Sequence, residues 1–115
     1  MSSANLASRA YAAASVNKTI REQEADVFRT VIARLQSARH AREIDRVRAL
    51  ADNRRLWMAV ADLMRDASNP LPPETRAGII AIGQSVQQEM DADEPNFDFL
   101  ITINRHIAEG LSGNP

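Results

Sequence analysis

Three prolines in the middle of the sequence exclude a single helix through this region. They stand in the segment Pro70-Leu71-Pro72-Pro73, directly after Asn69. Each proline lacks a backbone donor and restricts the residue before it, so a helix that enters the segment must end there. Because proline is well tolerated at the first position of a helix, we expect a loop over 69–73 and a new helix that begins at Pro72 or Pro73 and ends near Met90.

Residues that form tight turns are otherwise scarce. The 115 residues include 4 glycines and 5 prolines, too few for the many turns of a β-sandwich or barrel. Leu, Ile, Val and Phe together number 26, whereas alanine, the residue with the highest helix propensity, numbers 19. The sequence therefore predicts an all-α fold, a small bundle of about four main helices with a thin core.

Apolar spacing and start signals predict where the first two helices lie. A capping box formed by Thr19 and Glu22 predicts a helix start near Ile20. A first apolar stripe and an out-of-phase second one follow without glycine or proline between them, which favours two helices over 20–66 with a short turn or kink near 39–43. The first stripe comprises Ile20, Val27, Val31, Leu35 and Ala38.

The second stripe and the later helices supply the rest of the expected core. The second stripe comprises Ile44, Val47, Leu50, Trp57, Ala61 and Met64, with Ala49, Leu56, Val60 and Leu63 beside it. The third helix is expected to bury Ile79, Ile82, Val86 and Met90, and the last helix Phe99 or Leu100, Ile103, Ile107 and Leu111. We expect residues 1–18 to form a flexible or helical segment, 19–112 a single domain and 113–115 a tail.

Residues for catalysis or metal binding are sparse in this sequence. It has no cysteine, its two histidines, His40 and His106, lie far apart, and it lacks a phosphate-binding glycine loop. We therefore expect a protein that is not an enzyme and has no metal or other cofactor. The longest apolar run is far too short to cross a membrane, and residues 1–20 do not resemble a secretory signal. We expect a cytoplasmic protein without membrane insertion.

Charge is divided unevenly along the chain. Residues 1–57 carry a net charge of +5 and residues 58–115 carry −6. The halves can pack against each other or display solvated faces, or the basic half can bind an anionic partner such as RNA. Three acidic residues interrupt the basic stretch, and one Trp and one Tyr are few for stacking on bases, so we do not expect direct nucleic acid binding. The arginines of this stretch are Arg39, Arg42, Arg46, Arg48, Arg54 and Arg55.

One segment places an amide on an otherwise apolar helix face. Asn53 lies one helical turn before Trp57, the only tryptophan. A buried amide costs about 1–3 kcal/mol unless its hydrogen bonds are made. Either the two residues mark a surface that binds another chain, or Trp57 is the centre of the core and Asn53 bonds the backbone of the 68–73 loop. We favour the second interpretation.

Two glycines interrupt the third helix. Gly78 and Gly83 each cost roughly 1 kcal/mol relative to alanine inside a helix. We expect this cost to be offset by the close approach of another helix or of a partner.

Four segments, in their order and spacing, resemble the FlaF family of flagellar biosynthesis proteins. The resemblance covers roughly residues 10–112. The segments are Asn53-Arg54-Arg55-Leu56-Trp57, Asn69-Pro70-Leu71-Pro72, the stretch from Arg76 to Gly83, and the run Leu100-Ile101-Thr102-Ile103-Asn104-Arg105-His106-Ile107-Ala108-Glu109-Gly110-Leu111.

The resemblance implies a helical cytoplasmic protein that binds flagellin as an export chaperone, regulates flagellum biogenesis and is not an enzyme. It implies flagellin as the partner, with FlbT and the flagellar export gate as further partners. The alternative is a post-transcriptional regulator that acts on flagellin mRNA, directly or through FlbT. A chaperone of this kind would hold an amphipathic terminal helix of flagellin in an apolar groove. We expect that groove at Asn53, Arg54, Leu56, Trp57, Pro70, Leu71, Ile79, Ile82 and Gly83.

Overall fold

The described part of the chain consists of four helices joined by short connections. A computed structural model describes residues 25–111, except for the side chain of Leu111, and no strand occurs in this range. Helix α1 covers residues 25–38, α2 covers Glu43–Arg65, α3 covers Pro73–Met90 and α4 covers Phe97–Leu111. The all-α class is confirmed, and so are the turn between the first two helices and the helix start at Pro73.

Several expectations lie outside the described residues. The capping box of Thr19 and Glu22, the helix start near Ile20, the segment 1–18 and the tail 113–115 all fall there. The division into a segment, a domain and a tail therefore stays a prediction.

The proline loop is closed by the side chain of Asn69. Its amide nitrogen donates to the carbonyl oxygen of Leu63 (2.8 Å), and its amide oxygen accepts from the backbone N–H of Leu71 (3.0 Å). Arg76, on α3, donates to the carbonyl oxygens of Met64 (3.3 Å) and Asp66 (3.2 Å). Because the last carbonyls of a helix have no partner within it, these bonds stabilise the end of α2 and fix the start of α3 beside it.

One apolar core joins the four helices. Each helix contributes a side chain that is almost fully buried: Leu35 from α1, Trp57 from α2, Val86 from α3 and Leu100 from α4. The ring of Phe28 meets the Trp57 ring edge to face, with centroids 6.3 Å apart. Trp57 is the largest of these side chains, and it supplies volume that a core with few large apolar residues otherwise lacks.

The apolar stripe predicted for α1 is right at its centre and wrong at its margin. Val31, Leu35 and Ala38 are buried as expected, but Val27 is 51% exposed. The stripe also omitted Phe28 and Ile32, which are both buried. The buried face of α1 is therefore turned slightly from the predicted one, toward Phe28 and Ile32.

The stripe predicted for α2 is wrong at three positions. Ile44 and Val47 are each about half exposed, and so is Leu63. Each step of three residues falls short of the full turn of 3.6 residues, so positions 44, 47 and 50 rotate steadily around the helix instead of forming one line. On α4, the sequence predicted either Phe99 or Leu100 as the core residue. Leu100 is the buried one, and Phe99 is partly exposed.

Two valines on α1 test the corrected face of this helix. Val31→Ala removes buried apolar atoms and should lower the free energy of unfolding by about 2 kcal/mol. Val27→Ala is the matched control: the same change at a position that is 51% exposed should alter stability by less than about 0.5 kcal/mol. Chemical denaturation measures both. Equal losses in the two variants would contradict the assigned orientation of α1.

Candidate functional site

Three polar side chains form a hydrogen-bonded chain through the core. The indole nitrogen of Trp57 donates to the amide oxygen of Asn104 (2.8 Å), and the amide nitrogen of Asn104 donates to the amide oxygen of Asn53 (2.7 Å). The amide nitrogen of Asn53 lies 3.2 Å from the sulfur of Met90. Among the residues described, Asn53 and Asn104 are the polar side chains that are buried.

The orientation of both amides follows from the chemistry of the indole. An indole N–H can only donate, so Asn104 must turn its oxygen toward Trp57 and its nitrogen toward Asn53. Asn53 must then present its oxygen, which leaves its nitrogen facing Met90, a weak acceptor. The chain of bonds therefore links α2 to α4 through Trp57 and Asn53, and α2 to α3 through Asn53 and Met90.

The expected partner of Asn53 was wrong, whereas the expected position of Trp57 is confirmed. Trp57 is 1% exposed at the centre of the core. Asn53 does not bond the 68–73 loop, because Asn69 closes that loop and Asn53 bonds Asn104 instead. Sequence reasoning missed Asn104, although it lies four residues after Leu100 and three after Ile101 on the apolar face of α4.

Gly83 makes room for the tryptophan ring. A Cβ atom at this position would lie 3.2 Å from Cε3 of Trp57 and 3.6 Å from Cζ3. The close approach expected at Gly83 is therefore made inside the chain, between α2 and α3. A Cβ atom at Gly78 would meet nothing within 4 Å, so that glycine has no comparable contact in the described part of the chain.

Three of the nine residues predicted to line a partner groove between α2 and α3 lie in the core. Asn53, Leu56 and Trp57 are buried and offer no surface to a partner in this structure. Arg54 joins the two helices, because its guanidinium donates to the side chain of Gln87 (2.9 Å) and forms an ion pair with Asp91 (2.9 Å).

The remaining predicted site residues are at least partly accessible. Pro70 is exposed, while Leu71, Ile79 and Ile82 are partly buried against the core. Their role in partner binding stays a prediction.

Three apolar side chains lie exposed along the outer face of α2. Ile44, Val47 and Met58 are 49%, 50% and 58% exposed. Val47 and Met58 follow Ile44 by 3 and 14 residues, close to one and four turns, so the three side chains lie on one side of the helix. We call these residues the outer stripe. They face away from the core that the opposite side of α2 forms.

An open groove of about 700 Å³ runs between α1 and α2. We call it the α1–α2 groove. Small side chains form much of its lining, which lets a neighbouring backbone come close. Residues that line it include Thr30, Ala33, Ser37, Ala41, Arg48 and Ala49.

The charges that line this groove are balanced, with Arg34 and Arg48 against Asp45 and Asp52. Asp52 bonds both Arg34 (2.9 Å) and Arg55, so one carboxylate serves two guanidiniums. Burial would raise the pKa of Asp52, but the hydrogen bonds and charges of Arg55 and Arg34 outweigh it and hold that pKa below its ordinary value. Arg48 forms no ion pair or hydrogen bond within the described range.

Most of the other arginines in the basic stretch are engaged within the chain. Arg39 pairs with Asp98 (2.6 Å), which ties the end of α1 to α4. Arg42 lies 3.4 Å from Asp45, and Arg46 lies over the ring of Phe97, 5.0 Å from its centre. The basic stretch is therefore far less available to an anion than its net charge suggests.

The described residues contain neither a metal-binding cluster nor a membrane-spanning helix. No group of three or more histidine, aspartate or glutamate side chains is placed to hold a metal ion there. Within the same residues, no helix combines the length and the apolar character needed to cross a bilayer.

Comparison with protein families matches most of the chain to a known family. The family model described as flagellar protein FlaF matches residues 7–111 of the chain. No curated protein and no solved structure matches it.

A double-mutant cycle tests the buried chain of amides. Asn104→Leu leaves the indole N–H of Trp57 and the amide oxygen of Asn53 without hydrogen-bond partners. Asn53→Leu leaves the amide nitrogen of Asn104 without its acceptor. Each single change should cost about 2–3 kcal/mol. The double variant removes both amides and should cost at least about 1 kcal/mol less than the sum. Additive losses in urea denaturation would show that the two amides do not interact.

Two glycines on α3 provide a test of packing against Trp57. Gly83→Leu forces a side chain against the ring and should lower the free energy of unfolding by about 1–3 kcal/mol. Gly78→Leu puts the same side chain into open space and should be neutral or stabilising by up to about 0.8 kcal/mol, because leucine favours a helix. Thermal unfolding of both variants measures the difference. A stable Gly83→Leu variant would contradict the close packing.

Proposed function

Because the chain belongs to the FlaF family of flagellar proteins, we propose that it is a flagellin-binding export chaperone that also regulates flagellum biogenesis. It holds the amphipathic terminal helices of flagellin and couples flagellin synthesis to export. The observation that carries this proposal is the family match, which spans residues 7–111 and gives the chain a flagellar role.

The exposed surface of α2 supports binding of an amphipathic helix. A subunit helix that awaits assembly exposes an apolar face, and such faces associate unless another surface covers them. The outer stripe offers three exposed apolar side chains in one line. In this mechanism the chaperone binds the apolar face of a flagellin helix and shields it from other subunits until export.

The protein performs this role by binding and not by catalysis. It acts in the cytoplasm, where flagellin is made, and needs no cofactor. FlbT and the flagellar export gate are its further partners, since regulation of synthesis and delivery for export both require contacts beyond flagellin.

Direct action on flagellin mRNA is the alternative function, and the side-chain contacts favour protein binding over it. Four arginines of the basic stretch pair with acids of this chain, which lowers the positive potential that phosphates would meet. An effect on mRNA through FlbT needs only protein contacts and is compatible with the proposed function.

Flagellin binding is the direct test. The full chain, mixed with purified flagellin monomer at about 10 μM of each, should elute from a size-exclusion column as a discrete complex, because a useful chaperone has an affinity in the micromolar range or tighter. A sample of each protein alone is the control. Separate elution at this concentration would contradict the chaperone proposal.

A gel shift with flagellin mRNA tests the alternative function, direct RNA binding. We expect no sequence-selective retention of the RNA between 50 and 200 mM salt. Tight retention that falls steeply over this range would indicate several phosphate contacts and would favour direct RNA binding.

A further inference from the structure

We propose that two copies of this chain associate through the outer face of α2, with their two α2 helices antiparallel. The outer face is the side of α2 that carries the outer stripe and lies opposite the core. This inference goes beyond the proposed function and needs no flagellin. Where that function holds, a second copy and a flagellin helix would compete for the outer stripe.

The outer stripe continues through Ala51 and forms one apolar line along α2. Ile44, Val47, Ala51 and Met58 follow one another by 3, 4 and 7 residues. At about 100° per residue, all four fall within about 60° of one another around the helix. Spacings of three and four residues are those by which two helices pack side by side along a shared seam. The outer face therefore fits one partner helix.

Four charged side chains beside this line are free to bind another molecule. All four are exposed, and none forms a side-chain hydrogen bond or an ion pair with another described residue. Two are acidic and two are basic, so the free charge of the outer face is balanced. These residues are Glu43, Arg48, Asp62 and Arg65.

The order of the four charges along α2 points to a second copy as the partner. The charges are negative, positive, negative and positive from residue 43 to residue 65, so reading the helix backward inverts every sign. When two α2 helices lie antiparallel with residues 54–55 of both at the centre, Glu43 comes level with Arg65 of the other copy to within one residue. Arg48 comes level with Asp62 in the same way, and twofold symmetry makes each pair twice. A parallel pair would instead bring each charge against its own copy, which like-charge repulsion disfavours.

The apolar residues agree with the same alignment. Met58 of one copy comes level with Ala51 of the other, so a long flexible side chain lies beside a small one. Helices pack with their axes about 8–10 Å apart, and small side chains at the contact allow the lower end of this range. Arg54 and Arg55 stand at the centre of the alignment, where ion pairs within their own chain offset their charges.

A single pair of helices makes a small interface. Helix α2 has 23 residues and is about 34 Å long. Contacts of this size belong to weak and reversible associations. We therefore expect a dimer that forms at protein concentrations of about 100 μM and dissociates on dilution.

A charge swap tests the antiparallel alignment. Sedimentation equilibrium of the full chain, from about 5 to about 500 μM, measures the dissociation constant of the dimer. Arg48→Glu and Asp62→Arg should each raise this constant by about tenfold or more, because each brings like charges into contact. The double variant should return it to within about threefold of the value for the unaltered chain. The two positions are 14 residues apart on α2, about 21 Å, so such a rescue can only come from a contact between copies.

Met58→Glu tests the apolar part of the interface. The variant should remain monomeric over the same concentrations, because it places a charge on the apolar line where Ala51 of the other copy would pack. Ala81→Glu on α3 and Arg105→Glu on α4 are the matched controls at exposed positions away from the outer face. They should change the dissociation constant by less than about twofold. Thermal unfolding checks that each variant is folded.

Three results would overturn the inference. The first is an unaltered chain that stays monomeric at about 500 μM. The second is a dimer that persists in Met58→Glu, since the outer faces would then not meet. The third is a double charge variant that dissociates as readily as the two single changes together predict, since the free charges would then not pair between copies. Flagellin binding is measured separately by size exclusion, so its failure and the failure of the dimer are distinguishable.

Discussion

The hydrogen bond from the Trp57 indole to the amide of Asn104 is the interaction on which the bundle geometry depends. With few large apolar residues, the core needs the volume of one tryptophan at its centre. That ring brings a polar N–H into the interior, and leaving it unpaired would cost about 1–3 kcal/mol. Asn104 satisfies the N–H, Asn53 satisfies Asn104, and Gly83 leaves space for the ring. Helices α2, α3 and α4 are thereby fixed against one another.

Because the inner side of α2 is committed to this core, its outer side remains for contacts with other molecules. The outer stripe has no counterpart in the described chain, and the α1–α2 groove is open. The ion pair of Arg39 with Asp98 links the end of α1 to α4. The family role in the flagellum and the exposed apolar stripe on α2 are the two observations behind the proposed binding of an amphipathic helix.

The sequence predicted the helices well because its strongest signals are local. Prolines at 70–73 and the phase change near 40 act through backbone sterics and periodicity, and both appear where expected. Burial depends on where the other helices pack, which a local pattern does not contain. Val27 and Val47 were therefore predicted to be buried although both are about half exposed. The role of Asn104 was hidden for the same reason: its partners are 47 and 51 residues away in the chain. The contact of Gly83 with the Trp57 ring was hidden likewise, because it joins two helices that are distant in the sequence.

Hydrogen exchange of the Trp57 indole tests the central claim most directly. The chain has one tryptophan, so its indole N–H gives a single NMR resonance. If this N–H is buried and bonded to Asn104, it should exchange with deuterium as slowly as the most protected backbone amides, because exchange then requires unfolding of the bundle. Complete exchange within the first spectrum, while core amides remain protected, would show that the indole is open to water and would contradict a bundle organised around Trp57.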